Sequence, residues 1–319
     1  MTASSRLRLK GFALGTANNT KSIDDEGETA ISKRFWFISA FIVTTLTAIW
    51  LTNPGQWRSS PTVTPTDDPA LTEEADNDNL IERTSPLAQI PILMYHVIGD
   101  GSGSLAELYV NPEVFASQLE YLYDNGYNTI TLRELYDHWQ TGAPLPARPI
   151  ILTFDDGYRS DYELTFPALR QYGFRAVHFL YVKKFDHPNS LTLEEIAELV
   201  DAGHEIGNHS YNHLELHTAS PASLRRETRE AKAALEGLLG LEITSFAYPV
   251  GRYNADAVKA VAESGHLLAV TTEYGYASPE QGLLTLKRVR INRSDGLQGF
   301  INKLKRYEEL EPRRDDKAN

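Results

Sequence analysis

From Ile90 onward, short β-rich runs alternate with helical stretches, and this alternation restricts what the chain can fold into more than any other feature. The strand candidates are IPILMYH (90–96), YNTI (127–130), PIILTF (149–154), RAVHFLYV (175–182), HEIGNH (204–209), TSFAYP (244–249), HLLAVTT (266–272) and TLKRVRI (285–291). Helix signals lie between them. Asn111-Pro112 supplies a cap and a first-turn proline, with Gly126 past the end. Further helices are expected from Thr131, from Asp161 to Tyr172, from Thr192, from Ser220 to Leu239, from Asn254 to Ser264 and from Asp295 to Leu310. About eight βα units over roughly 220 residues predict an α/β fold, either a parallel barrel or an open doubly wound sheet.

The 89 residues before this unit read differently. Phe35–Leu51 carries no charge, and the uncharged stretch continues to Trp57, enough at ~1.5 Å per residue for one tilted or slightly short membrane helix. Trp36 and Trp50 stand where interfacial aromatics belong. Four hydroxyl residues weaken the apolar run, so a secretory signal core or a buried helix competes with an anchor. No A-x-A site follows, however, and 34 residues precede it, long for a signal n-region. Arg6, Arg8, Lys10, Lys21, Lys33 and Arg34 precede the span, whereas only Arg58 and Arg83 lie between Asn53 and Ala88. The positive-inside rule then predicts a disordered cytoplasmic tail at 1–34, an anchor at 35–52 and an extracytoplasmic remainder. Pro, Thr, Asp and Asn without apolar periodicity mark 53–89 as a flexible acidic linker to a catalytic domain at 90–311, with a short tail at 312–319.

A formal charge of −12 argues against nucleic acid as a partner, because phosphate binding needs clustered Lys and Arg. The chain has no cysteine, so any metal chemistry falls to His, Asp and Glu. Two segments carry such residues at strand ends. Thr153-Phe154-Asp155-Asp156-Gly157 follows an apolar strand directly, at the C-terminal edge where βα folds build active sites. Adjacent carboxylates point apart, so one can ligate a cation while the other handles a proton; an Asx-turn is the plain alternative. In HEIGNHSYNHLELH, His204, His209, His213 and His217 bring four of the chain's nine histidines together. The spacing of His209 and His213 lets both imidazoles reach one ion, and Asp156 would complete a His-His-carboxylate set. His204 reads as structural, and His217 is left unassigned.

T-F-D-D-G followed about fifty residues later by H-S-x-x-H resembles the polysaccharide deacetylase family, carbohydrate esterase family 4, whose shared unit is the NodB-homology domain. The likeness spans roughly residues 90–295 and implies a distorted (β/α) barrel of seven to eight units. It also implies metal-dependent removal of acetyl groups from glycans. Carried over by position, Asp155 is the general base and Asp156, His209 and His213 are the metal ligands. The implied ion is Zn²⁺, with Co²⁺, Ni²⁺, Mn²⁺ or Fe²⁺ also compatible with N/O ligation. The I-P-I-L-M-Y-H and F-A-Y-P-V-G segments look most like the branch that deacetylates poly-N-acetylglucosamine exopolysaccharides. An acetylated polysaccharide is thus the implied substrate, cleaved by a membrane-attached N-deacetylase. The alternatives are an O-acetyl esterase of the xylan type and a weakly active glycan-binding protein.

Two departures from the family pattern stand out. The arginine that orients the base normally lies two residues before the proline of the third motif, where this chain has Ala247; Arg252, Arg288 and Arg290 are the candidate substitutes. Val250 can still offer its backbone N–H to an oxyanion, a role that needs no particular side chain. The usual C-terminal histidine acid is also missing, since no His follows His266. The branch resemblance places the acid near the domain's start, pointing to His96, with a buried core histidine as the competing reading. Tyr248, Tyr253, Tyr211 and Tyr158 flank the motifs, where they either stack on sugar rings or pack the barrel.

Overall fold

The structure is a computed structural model that describes residues 89–310. The expected cytoplasmic tail, the membrane helix at 35–52, the linker up to residue 88 and the terminal tail lie outside those residues. Among the described residues no helix is long and apolar enough to cross a membrane.

Among the described residues ten strands occur in chain order: β1 (Ile92–Tyr95), β2 (Val97–Ile98), β3 (Tyr109–Val110), β4 (Asn128–Thr129), β5 (Pro149–Asp155), β6 (Val177–Leu180), β7 (Glu205–Asn208), β8 (Ser245–Ala247), β9 (Leu268–Tyr274) and β10 (Leu286–Arg290). Seven of them form a continuous parallel ring, β1-β10-β9-β8-β7-β6-β5, closed by β5 pairing back onto β1 from Ile92↔Ile151 to Tyr95↔Phe154. This closure decides for the barrel over the open sheet. The YNTI segment contributes only the two-residue β4, which pairs with the first residues of β5.

The helices are α1 (Pro112–Asp124), α2 (Leu132–Thr141), α3 (Phe166–Gln171), α4 (Leu193–Asp201), α5 (Pro221–Arg225), α6 (Ala231–Leu239), α7 (Ala255–Glu263) and α8 (Gly296–Leu310). Their starts follow local chemistry. The Asn111 side chain accepts from the Glu113 and Val114 N–H groups, and capping boxes at Thr131/Glu134 and Thr192/Glu195 satisfy two otherwise orphaned donors each. Replacing Thr131 with Ala would cost about 1 kcal/mol. Two helices expected as single pieces are instead interrupted. A π-helical turn, Asp161–Thr165, precedes α3, and another, Arg226–Glu230, joins α5 to α6.

Strand pleating sorts the side chains into two layers. Ile92, Ile151, Val177, Phe179, Ala247, Val270 and Leu286 meet in one apolar cluster, the barrel filling. Their neighbours Leu93, Tyr95, Leu152, Phe154 and Val289 pack outward with Phe115 and Leu119 of α1 and with Phe300 and Leu304 of α8. Period two therefore sends Thr153 and Asp155 inward along β5, and Arg288 inward along β10. It also brings His96, just beyond β1, to the same mouth.

Candidate active site

Asp155 and Asp156 end β5, and the chain leaves the strand through Asp156 at φ 79° and Gly157 at φ 63°. Left-handed backbone is costly for a residue with a Cβ and free for glycine. At Gly157 a Cβ would also lie 2.6 Å from Leu180 Cδ2, so any other residue would both strain the backbone and push that leucine methyl aside. The kink turns the two carboxylates to different tasks.

Asp155 is bound by Arg288. The guanidinium donates from Nη1 to Oδ1 and from Nη2 to Oδ2, both at 2.7 Å. Nη1 also donates to Thr153 Oγ1 at 3.0 Å and Nε to the Thr271 carbonyl at 2.9 Å. The pair is removed from water, with side-chain exposures of 0% for Arg288 and 3% for Asp155. Burial alone would raise the Asp155 carboxyl, but the arginine's charge and hydrogen bonds outweigh it and hold the group well below the usual carboxylate range. Asp155 is therefore an ionised, aimed acceptor at neutral pH. The structure thereby chooses among the three candidate arginines. Arg252 is exposed and faces Glu215 at 3.3 Å, and Arg290 donates to Asn292 Oδ1 at 3.1 Å.

Asp156 turns the other way. Its Oδ1 lies 3.3 Å from His213 Nε2 and 3.5 Å from His209 Nε2. One ligand-capable atom from each of the three residues falls within 4.8 Å of the others. His209 follows β7, and its Nδ1 meets the Ala247 carbonyl at 2.8 Å. A carbonyl only accepts, so Nδ1 carries a proton, which leaves Nε2 as the nitrogen turned toward Asp156 and the one that a cation would take in place of a proton. His213 is held at φ 60° on a loop that begins with Ser210 at φ 80°. The loop closes on itself, because the His213 N–H donates to Ser210 Oγ at 2.9 Å. Burial lowers the Asp156 group's freedom to ionise, yet the hydrogen bond and charge of His209 prevail and leave its pKa lowered. Two imidazoles and a carboxylate, inward-facing and with one tautomer fixed, match the N/O donor set of a catalytic divalent-metal site with open positions. The residues present thus fit the implied ion.

The other candidates divide. His96 is partly exposed and near enough to Asp155, Asp156, Arg288 and Arg290 for their charges to act on it, while desolvation lowers its pKa. Val250 sits at the mouth after β8 with φ 57° and 49% exposure. At the adjoining Gly251 (φ 71°) a Cβ would come within 1.9 Å of Thr272 Oγ1, so this turn too requires glycine. Of the two readings of Tyr248, a sugar contact or barrel packing, its surroundings favour packing. It is 0% exposed and packs against Phe246 (5.2 Å between ring centroids) and Tyr253 (4.9 Å) in the outer layer. Inward Ala247 makes its neighbour Tyr248 point outward, which is a parity the strand pattern already held. Tyr158 and Tyr211 lie beneath the cations of Lys184 and Arg226. His204 is structural, as expected, bonded at 3.1 Å to His178, whose other nitrogen is 3.2 Å from Asp161 Oδ2. His217 stands 3.6 Å from Glu215, outside the ligand cluster.

Comparisons with known proteins agree with this arrangement. Residues 142–269 match the family described as polysaccharide deacetylase. The Bacillus subtilis protein YxkH, itself assigned to the polysaccharide deacetylases, is 35% identical over 227 residues, covering 71% of this chain and 79% of its own. The structure of the Streptococcus pyogenes deacetylase PplD in complex with acetate superposes with a TM-score of 0.64 at 32% identity, over 69% of this chain and 99% of that one. The Escherichia coli poly-beta-1,6-N-acetyl-D-glucosamine N-deacetylase is 24% identical over 283 residues, and the match spans 73% of this chain but only 42% of that protein. With these relatives and a barrel that gathers both motifs at one mouth, the chain belongs to the polysaccharide deacetylase family, carbohydrate esterase family 4.

Proposed function

We propose that this protein is a metal-dependent hydrolase that removes N-acetyl groups from a polysaccharide containing N-acetylglucosamine. The observation that carries the reading is the junction of two sets at one barrel mouth: Asp156, His209 and His213 within ligand distance of each other, beside an Asp155 kept ionised by Arg288. A bound divalent cation supplies Lewis acidity toward the acetamide carbonyl and acidifies water. Asp156 Oδ1, His209 Nε2 and His213 Nε2 would hold it.

The remaining chemistry belongs to the chain. Asp155 accepts the proton of the attacking water, and its engagement with Arg288 fixes which lone pairs face the substrate. The Val250 N–H, on a turn imposed by Gly251, donates to the oxygen that gains charge as the carbonyl becomes tetrahedral. Expelling an amide nitrogen requires a proton, and His96, just beyond the strand paired beside that of Asp155, delivers it. Acetate and a free amine are released. The names of the relatives support the substrate class: the Escherichia coli protein is a poly-beta-1,6-N-acetyl-D-glucosamine N-deacetylase, and the Streptococcus pyogenes deacetylase was solved with acetate.

Purified protein should contain or bind about one divalent ion per chain and release acetate from N-acetylated glucosamine polymers. Acetate from O-acetylated xylan instead would assign an esterase, and binding without release would leave a lectin-like protein. We also propose that Phe35–Leu51 anchors the domain outside the cytoplasm. A reporter fused after Asn319 should then be shielded from cytoplasmic protease, and its exposure there would overturn the topology.

A further inference from the structure

The loop that presents His213 does not hold its shape alone. Ser210 and His213 both adopt left-handed backbone, φ 80° and 60°, a conformation that is costly for an L-residue and persists only where the surroundings impose it. Those surroundings include one carboxylate. Glu227 is 1% exposed, and no cation lies against it among the ion pairs of the described residues. Its Oε2 accepts from the Asn212 N–H at 2.8 Å and the Tyr211 N–H at 3.1 Å, and its Oε1 accepts from Asn212 Nδ2 at 2.7 Å. All three donors belong to the tetrapeptide Ser210–His213. Glu227 stands on the π-helical turn Arg226–Glu230, and the next residue of that turn holds the end of β7 that leads into the loop: the Thr228 carbonyl accepts from Asn208 Nδ2 at 3.2 Å. Asn208 Oδ1 in turn accepts the Ser210 N–H at 2.8 Å.

We infer that Glu227 is the positioning residue of the metal site, a buried carboxylate that imposes the strained Ser210–His213 conformation and so sets where His213 Nε2 points. This rests on the metal reading above and deepens it. A buried carboxylate is expensive unless its lone pairs are filled, and here the loop's N–H groups fill them, which ties the side chain and the bent loop to each other. The interruption of α5/α6 has the same logic, since π-turns widen a helix locally and let successive residues face one neighbour. Orienting groups around metal ligands typically change affinity by 10–100-fold when removed.

The test compares zinc affinity, by chelator competition, and the d–d spectrum of the cobalt-substituted full chain for wild type, Glu227→Ala, Glu227→Gln and Asn212→Ala. Glu227→Ala should keep wild-type circular dichroism, bind zinc at least tenfold more weakly and shift the cobalt bands. Glu227→Gln should remain within about threefold of wild type, because its oxygen can take both backbone N–H groups while the Asn212 amide turns over. Zinc affinity and a cobalt spectrum equal to wild type in a folded Glu227→Ala would overturn the inference and leave a structural carboxylate. If that variant does not fold, Asn212→Ala decides, since Asn212 is exposed and loses a single bond: a weaker site with altered cobalt bands supports the role, and an unchanged one refutes it. Should wild type bind neither metal, the metal reading itself fails, an outcome visible in the same experiment.

Discussion

Arg288 and Asp155 are joined by two 2.7 Å hydrogen bonds across the inside of the barrel, although 133 residues separate them in the chain. The pair is shaped for chemistry more than for stability. Taking two charges out of water costs nearly what their attraction returns, whereas removing one partner strands the other. Arg288→Met should therefore destabilise the fold by about 3–5 kcal/mol, and Asp155→Leu/Arg288→Met should recover most of that loss. Denaturant midpoints decide the matter; a double variant no more stable than the single would show that the pair does hold the barrel together.

The same pair sets the acid side of the pH profile. With Arg288 present the Asp155 pKa is lowered, so the base stays ionised through mildly acidic pH. Arg288→Lys keeps a charge but loses the two-pronged contact, and the acid limb of kcat/KM should move upward as burial gains weight. The stability sign agrees. A depressed carboxylate contributes stability above its unfolded pKa of about 3.9 and loses it as pH falls through the folded value. An unmoved limb in Arg288→Lys would assign that limb to another group.

Base and ligand can be separated. Asp155→Asn should bind the cation normally and lose roughly 10²–10⁴-fold in kcat, since an amide cannot accept the water's proton. His213→Ala and Asp156→Ala should lose metal and activity together while the barrel stays folded, because its apolar filling is untouched. Metal loss in Asp155→Asn would mean that the two aspartates have exchanged roles.

His96→Ala tests the acid. It should retain the ion, bind glycan as before, and lose most of kcat together with the basic-side limb of the profile. Near-normal turnover with an intact limb would return His96 to plain packing.

Three buried histidines predict a stability profile. His178, His204 and His266 have pKa values pushed down to about 3, chiefly by burial. The unfolded chain binds protons at these side chains below about pH 6.5 while the fold does not, so they lower stability as pH falls from there. Asp161 and Glu205, whose pKa values burial raises, work in the opposite direction but are two groups against three. The unfolding free energy of the metal-free protein, read from urea titrations, should fall between pH 6.5 and 4.5 by on the order of 1–3 kcal/mol per pH unit. A flat profile would show that the histidines protonate within the fold.

Much of this was legible in the residues themselves. Strand and helix order, helix starts at Asn111, Thr131, Thr192 and Asn254, and the two motifs at strand ends all rest on interactions within a few residues. So does the orientation of Tyr248, since alternation along TSFAYP already separates it from Ala247 and favours packing over a sugar contact. Single-helix readings of 161–172 and 220–239 failed because π-turns leave little mark on apolar periodicity. What required tertiary structure was every relation between distant strands. Closure of β1 onto β5 brought β10 alongside, and only then did Arg288 stand apart from Arg252 and Arg290, which look equally plausible as letters. The Ala247 carbonyl that orients His209, and Glu227 beneath the His213 loop, are likewise invisible in sequence: a backbone oxygen has no signature, and a glutamate on a charged helix resembles any solvated one. The chain's local chemistry names the groups that can react, and the packing of seven strands into a ring decides which of them meet, because ring closure fixes distances that no sequence spacing encodes.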